Sequence, residues 1–147
     1  MRRAALLALL LVALGTAAHA QTTPTDAKSL VTDFYRMVFT ERQVKEAFER
    51  YVGPTYTQHN PRVPDGVQPA IDALTALVAQ NPRRVSRIVR SVAEGDLVML
   101  HVHVTNSNTD RGTAIAEIFR VENGRIVEHW DVIQPVPDTA ANSNSMF

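Results

Sequence analysis

Leu30, Val31, Phe34, Tyr35, Val38 and Phe39 recur three and four residues apart, the spacing that gathers side chains on one face of an α-helix. Asp26 is placed to cap its start, and the stripe ends at Phe39. Thr40 or Glu41 opens a second helix with Val44, Ala47, Phe48 and Tyr51 on one side, and Gly53-Pro54 ends it. The next residues, Tyr56-Thr57-Gln58-His59-Asn60-Pro61, are polar, lie between prolines and read as a loop that Asp65-Gly66 closes. A third helix is predicted over Val67–Gln80, with Ile71, Leu74, Leu77 and Val78 as its buried face, before Asn81-Pro82 stops it. Beyond Pro82 the period shortens to two. Val85 to Ala93 is strand-like, Glu94-Gly95-Asp96 turns, and Leu97 to Thr105 alternates, with Met99, His101 and His103 on one side and Val98, Leu100, Val102 and Val104 on the other. Thr113 to Val121 and Arg125 to Gln134 form two further strands, ended by Pro135 and Pro137.

Three helices followed by antiparallel strands predict an α+β fold with the helices packed on one face of a curved sheet. The register of the last hairpin then decides which side chains share a face, because a shift of one residue turns a strand over. Val121-Glu122-Asn123-Gly124-Arg125 can close as a two-residue Asn-Gly type I′ loop pairing Glu122 with Arg125, or as a type I turn with a glycine bulge at Gly124 pairing Val121 with Arg125. The bulge is the preferred reading. It sets Glu117 opposite His129 and Asp131 opposite Ile115, on a face that also carries Phe119, Val127 and Ile133. A mostly apolar wall with a few convergent polar groups is how small-molecule pockets are built. The type I′ loop would instead set Glu117 opposite Trp130 and turn His129 and Asp131 away.

Composition narrows the classes. The chain has 147 residues, 45% of them hydrophobic, which suits one domain with a real core. Its 15 basic and 15 acidic side chains balance, so there is no electrostatic footprint for nucleic acid. The absence of cysteine removes disulfides, thiolate catalysis and thiolate metal sites. Met1-Arg2-Arg3, the apolar run Ala4 to Leu14 and Ala18-His19-Ala20 have the form of a cleavable export signal. Its loss takes two of the 15 basic residues and leaves 13, a mildly acidic mature chain with no membrane anchor. The expected organisation is residues 1–20 as signal peptide, 21–25 as flexible lead-in, 26–137 as the folded domain and 138–147 as a tail, with a periplasmic or secreted destination after cleavage at Ala20. The tail is rich in Asn and Ser and reads as disordered, unless its terminal Met146-Phe147 folds back over the pocket mouth or onto a partner subunit.

Asp131 is the leading candidate for chemistry. Desolvation disfavours the charged form of a carboxylate, and a base works best when it releases protons near the working pH. The alternative is a carboxylate paired to an arginine or capping a strand end. His59, with Tyr56 and Asn60, is placed to polarise a carbonyl oxygen or to stabilise its loop. Glu117 and His129 form either a buried ion pair or part of the reacting group. His101 and His103, two apart on a strand, could present imidazoles to a metal together with His59 or His129. No third ligand is forced by spacing, so neither a metal nor a cofactor is assigned. Arg120 alternates away from Glu117 and is placed to pair with Glu128. Trp130 reads as core or dimer-interface packing.

The run Phe119-Arg120-Val121-Glu122-Asn123-Gly124-Arg125-Ile126-Val127-Glu128-His129-Trp130-Asp131 resembles the closing hairpin of SnoaL-like polyketide cyclases, within the nuclear transport factor 2-like superfamily. Tyr56-Thr57-Gln58-His59-Asn60-Pro61 and Asn144-Ser145-Met146-Phe147 resemble an often exported bacterial subgroup. The resemblance implies a cone: a curved antiparallel sheet wrapped around three N-terminal helices (a SnoaL-like, cystatin-like α+β barrel), open at one end to a pocket. It implies a general acid/base role for Asp131, and it meets Glu117 where the cyclases carry a histidine. The expected function is cofactor-independent acid/base chemistry on a small apolar carbonyl compound, by isomerisation, aldol-type cyclisation or hydration. Asp131 and His59 would be catalytic, and Tyr56, Asn60, Glu117, His129, His101, Phe119 and Ile115 would hold the substrate. The rivals are a non-catalytic module that binds a small hydrophobic ligand and an interaction protein with a vestigial pocket. A homodimer is expected.

Overall fold

The computed structural model describes residues 24–147; the expected signal peptide lies outside the described residues. The chain runs α1 (Pro24–Phe39), α2 (Val44–Tyr51), β1 (Val52–Gln58), α3 (Val67–Gln80), β2 (Val85–Glu94), β3 (Leu97–Thr105), β4 (Thr113–Glu122) and β5 (Arg125–Pro135). The strands form one curved sheet in the order β1-β5-β4-β3-β2, antiparallel except for β1, which runs parallel to β5. This is the expected α+β architecture, and the bounds of α3 coincide with those read from the sequence.

Three local readings are corrected. Helix α1 begins at Pro24, so Asp26 lies inside it rather than at its cap. Helix α2 starts at Val44 instead of Thr40 or Glu41, because Arg42 takes a positive φ of 62° and breaks the path between the two helices. The Arg42 guanidinium donates to the carbonyls of Val78, Asn81 and Pro82 at the end of α3, where a cation meets the negative end of the helix dipole. Finally, the polar stretch after Gly53-Pro54 is largely an edge strand. Proline is tolerated there because an edge strand leaves one row of N–H groups unused.

The hairpin correction matters most. Asn123 and Gly124 both have positive φ, 51° and 71°, and Glu122 pairs with Arg125, the signature of a type I′ turn. The bulge expected at Gly124 is absent there. It lies three residues further on: Val121 pairs with Ile126 and Arg120 with Glu128, leaving Val127 as the extra residue. Val127 packs beside Gly53, where an added Cβ would lie 3.2 Å from its Cγ1. The inserted residue cancels the parity change of the tight turn. Glu117 therefore pairs with Asp131, Phe119 with His129 and Ile115 with Ile133, and all six side chains share the inner face. The expected opposition of Glu117 to His129 and Asp131 to Ile115 is off by two residues, which preserves the face. Val127 does not belong to that face; buried Ile126 does.

The inner face packs on α1 and α2. Phe34 sits edge-on to Phe48 and Phe119 at 5.4 and 5.9 Å between ring centres, and Val98, Leu100, Val102 and Val104 are buried beneath them. The outer face carries the tail, where Phe147 stacks on His103 at 3.9 Å and on His101 at 5.6 Å. The tail thus folds back, but onto the side of the sheet opposite the cone's interior.

Candidate active site

Between α1, α3 and the inner sheet face lies a cavity of about 280 Å³, at the small end of the range for ligand sites. Ala70, Ala73, Leu74 and Leu77 of α3 form one wall, which is why the apolar side of that helix is only partly covered. Ile115, Phe119 and Ile133 form the sheet side, with Glu117, His129 and Asp131 among them. Tyr56, Gln58 and Asn60 enter from β1 and the residues just after it.

A hydrogen-bond chain assigns most of the protons. The Asn60 backbone N–H donates to Gln58 Oε1 at 2.9 Å, so that atom is an acceptor. The Gln58 amide nitrogen correspondingly donates to the Tyr56 hydroxyl at 3.3 Å. His129 Nδ1, 2.9 Å from the same Gln58 oxygen, must carry a hydrogen. Its Nε2 lies 2.8 Å from Glu117 Oε2, and a proton must sit between them, since two bare lone pairs would repel. Wherever that proton resides, the Glu117–His129 pair is neutral as a unit. Both residues are buried, at 7% and 8% exposure.

Asp131 stands beside this pair. Asn60 Nδ2 donates to Asp131 Oδ2 at 2.6 Å, and the Arg62 backbone N–H donates to Asn60 Oδ1, which orients the amide. No arginine pairs with Asp131 among the described residues. Burial, and then the negative field of Glu117, push the Tyr56 and Tyr35 phenols well above their ordinary value, so both remain protonated donors far above neutral pH. One atom each of Glu117, His129 and Asp131 also lie within 4.8 Å of one another, close enough to share a divalent cation if the Glu117–His129 hydrogen bond opened.

Residues 31–129, more than half of the chain, match the SnoaL-like domain. The chain belongs to that family. No curated protein matches the sequence significantly. Among solved structures, a candidate polyketide cyclase from Acidithiobacillus ferrooxidans is 25% identical, with TM-score 0.62 over 74% of this chain and 87% of that one. AclR, a candidate hydroxylase from Streptomyces galilaeus, is 17% identical, with TM-score 0.65 over 81% and 91%. An NTF2-like protein of unknown function from Cytophaga hutchinsonii is 19% identical, with TM-score 0.59 over 74% and 90%. In this SnoaL-like protein the curved sheet and three helices reproduce the fold of those structures.

Two expected site residues of the SnoaL-like cone lie elsewhere. His59 does not line the cavity. Side chains alternate along the extended chain, so Tyr56, Gln58 and Asn60 point in while His59 points out. It stacks on Trp130 at 4.6 Å and donates to Glu128 at 2.8 Å. His101 is also outside: Leu100, not His101, pairs with Glu117, so His101 falls on the outer face with Ala116. There Arg90 donates to its Nδ1 at 3.0 Å, and partial burial and then the Arg90 charge hold it below the ordinary histidine value. Gln58, missed by the sequence reading, fixes the tautomer of His129. Reading residues 52–58 as a strand would have found it, two places from Tyr56 on the same side.

On the outer face Arg120 Nε donates to Glu128 at 2.7 Å, the pairing its alternation predicts. That hydrogen bond, and then the one from His59, hold the Glu128 carboxyl below its usual range. A lowered folded value means a stabilisation present above the ordinary carboxylate range and lost as pH falls through the folded value. Glu128→Gln should therefore lower stability by no more than about 1 kcal/mol at pH 7, with the difference from wild type vanishing in acid. Urea unfolding from neutral to strongly acidic pH measures this, and a pH-independent difference would contradict it.

Proposed function

We propose that this protein is an acid/base enzyme acting on a small, largely apolar carbonyl compound, with Asp131 as the base. The observation that carries the reading is a carboxylate positioned by Asn60 beside a proton-sharing Glu117–His129 pair, inside a cavity walled mainly by aliphatic and aromatic side chains, with Arg62 and Arg84 also in its lining. Asp131 takes the proton from the carbon next to the carbonyl. The Tyr56 hydroxyl donates to the oxygen on which charge develops, and neutral donors in a dry site stabilise such charge strongly. The proton held between Glu117 and His129 is then delivered to carbon, completing an isomerisation, or to the alkoxide formed when the enolate attacks a second carbonyl. Asp131 then returns the abstracted proton to the Glu117–His129 pair, whose atoms lie within 4.8 Å of its own, so that proton count and charge balance and no redox partner is needed.

The test is deuterium uptake next to the carbonyl, followed by NMR in heavy water with 4-phenylbutan-2-one and 4-phenyl-2-oxobutanoate as probes. Acceleration over buffer is expected for at least one. No acceleration of either would overturn the acid/base reading and favour a module that only sequesters its ligand. The proposal includes export, resting on Met1 to Ala20, and a homodimer, resting on the outer sheet face where Val92 and Val132 are 54% and 66% exposed. Native mass spectrometry of the exported chain should give twice the mass of a chain beginning at Gln21; a monomer or an uncut chain would refute the corresponding part.

A further inference from the structure

Where α1 meets β2, three polar groups lie buried without a hydrogen-bond partner among the described residues: the Tyr35 hydroxyl, the Arg84 Nε and the Ser86 hydroxyl. Such groups are rare in native proteins, because a lost partner leaves the desolvation cost uncompensated. They are not scattered. Ser86 pairs with inward-facing Val104, so it and Arg84, two residues earlier, both face the interior. Tyr35, only 2% exposed, feels burial first, then the negative field of Glu117 and the opposing Arg84 charge, with the Ser86 hydroxyl beside it, and both Tyr35 and Arg84 line the cavity that holds Asp131. The Arg84 guanidinium lies 5.2 Å over the Phe39 ring, which supports its flat face and leaves its edge for hydrogen bonding. No carboxylate forms a salt bridge with it among the described residues.

We propose that this cluster is an anion subsite and that the protein's ligand carries a carboxylate, held by Arg84 and Tyr35 at one end of the cavity, with Ser86 behind Tyr35, while its reacting carbon faces Asp131. The substrate class becomes a small apolar oxo-acid rather than a neutral ketone. This rests on the acid/base reading only for the word substrate; the subsite stands on the orphaned donors. The geometry favours a carboxylate because an arginine edge matches two coplanar oxygens and the Tyr35 hydroxyl completes the donor set on the cavity wall. Charge permits it: the Glu117–His129 pair is neutral as a unit, so Asp131 is the carboxylate that an incoming anion must face, and Arg84 offsets it.

The experiment is calorimetric titration of the full mature chain with 3-phenylpropanoate and with its neutral isostere 3-phenylpropanamide. Wild type should bind the acid about tenfold or more tightly than the amide. Arg84→Gln should erase that preference while leaving amide affinity unchanged, and Asp131→Asn should keep or increase it. Equal affinities in wild type, no saturable binding of the acid, or a preference that survives Arg84→Gln would each overturn the proposal. The wild-type comparison needs no variant, so a poorly folding Arg84→Gln does not protect the idea. Because no turnover is measured, loss of the preference and loss of the acid/base reading are separate results.

Discussion

Asp131→Asn should retain the fold and the ligand affinity and slow deuterium uptake beside the carbonyl by about 10²–10⁴-fold, the contribution of a positioned base. The substitution keeps the shape of the side chain. Asn60 Nδ2, which donates to Asp131 Oδ2 at 2.6 Å, meets an amide oxygen in the variant and keeps its bond. What disappears is the carboxylate oxygen that takes the proton. Unchanged melting temperature and ligand affinity, measured on the same sample, separate lost chemistry from lost structure. An exchange rate within a few-fold of wild type would remove Asp131 from the mechanism.

The largest expected effect on stability belongs to that pair. His129→Leu should destabilise the protein by about 3–5 kcal/mol, the range for breaking a buried ion pair from one side. The variant strands Glu117, which is 7% exposed, and also removes the donor to Gln58 Oε1. Glu117→Leu/His129→Leu should cost less than His129→Leu alone, because removing both partners leaves neither of them buried and unmatched. Denaturant unfolding of the two single variants and the double variant reads the coupling directly. Strict additivity would mean that the 2.8 Å contact contributes nothing to folding.

Legibility followed the range of the interactions involved. Helix α3 was readable to the residue because Gly66 and Asn81-Pro82 punctuate a regular apolar period. The alternation of β3 was equally clear, since buried Val98, Leu100, Val102 and Val104 interleave with the less buried Met99, His101, His103 and Thr105. β1 was not, because its stretch contains a glycine, a proline and polar residues, and its strand character comes from pairing with a β5 some 70 residues later. The inward facing of Asp131 followed from an argument whose intermediate step was wrong. A glycine bulge at Gly124 and a type I′ turn with a bulge at Val127 have the same parity, so both leave Glu117, His129 and Asp131 on one side of the sheet.

Local pattern, then, was enough to specify three helices, four of the five strands, the α+β class and a sheet face on which acidic and imidazole groups meet. Those properties depend on periodicity and turn chemistry within a few residues, which the chain carries wherever it folds. The outward turn of His59, the separation of His101 from the cavity, the proton shared by Glu117 and His129 and the unmatched donors of Tyr35, Arg84 and Ser86 arise otherwise. They depend on which distant strands and helices come into register, because a side chain's partner, exposure and charge environment are properties of the packed assembly of elements and of no single segment.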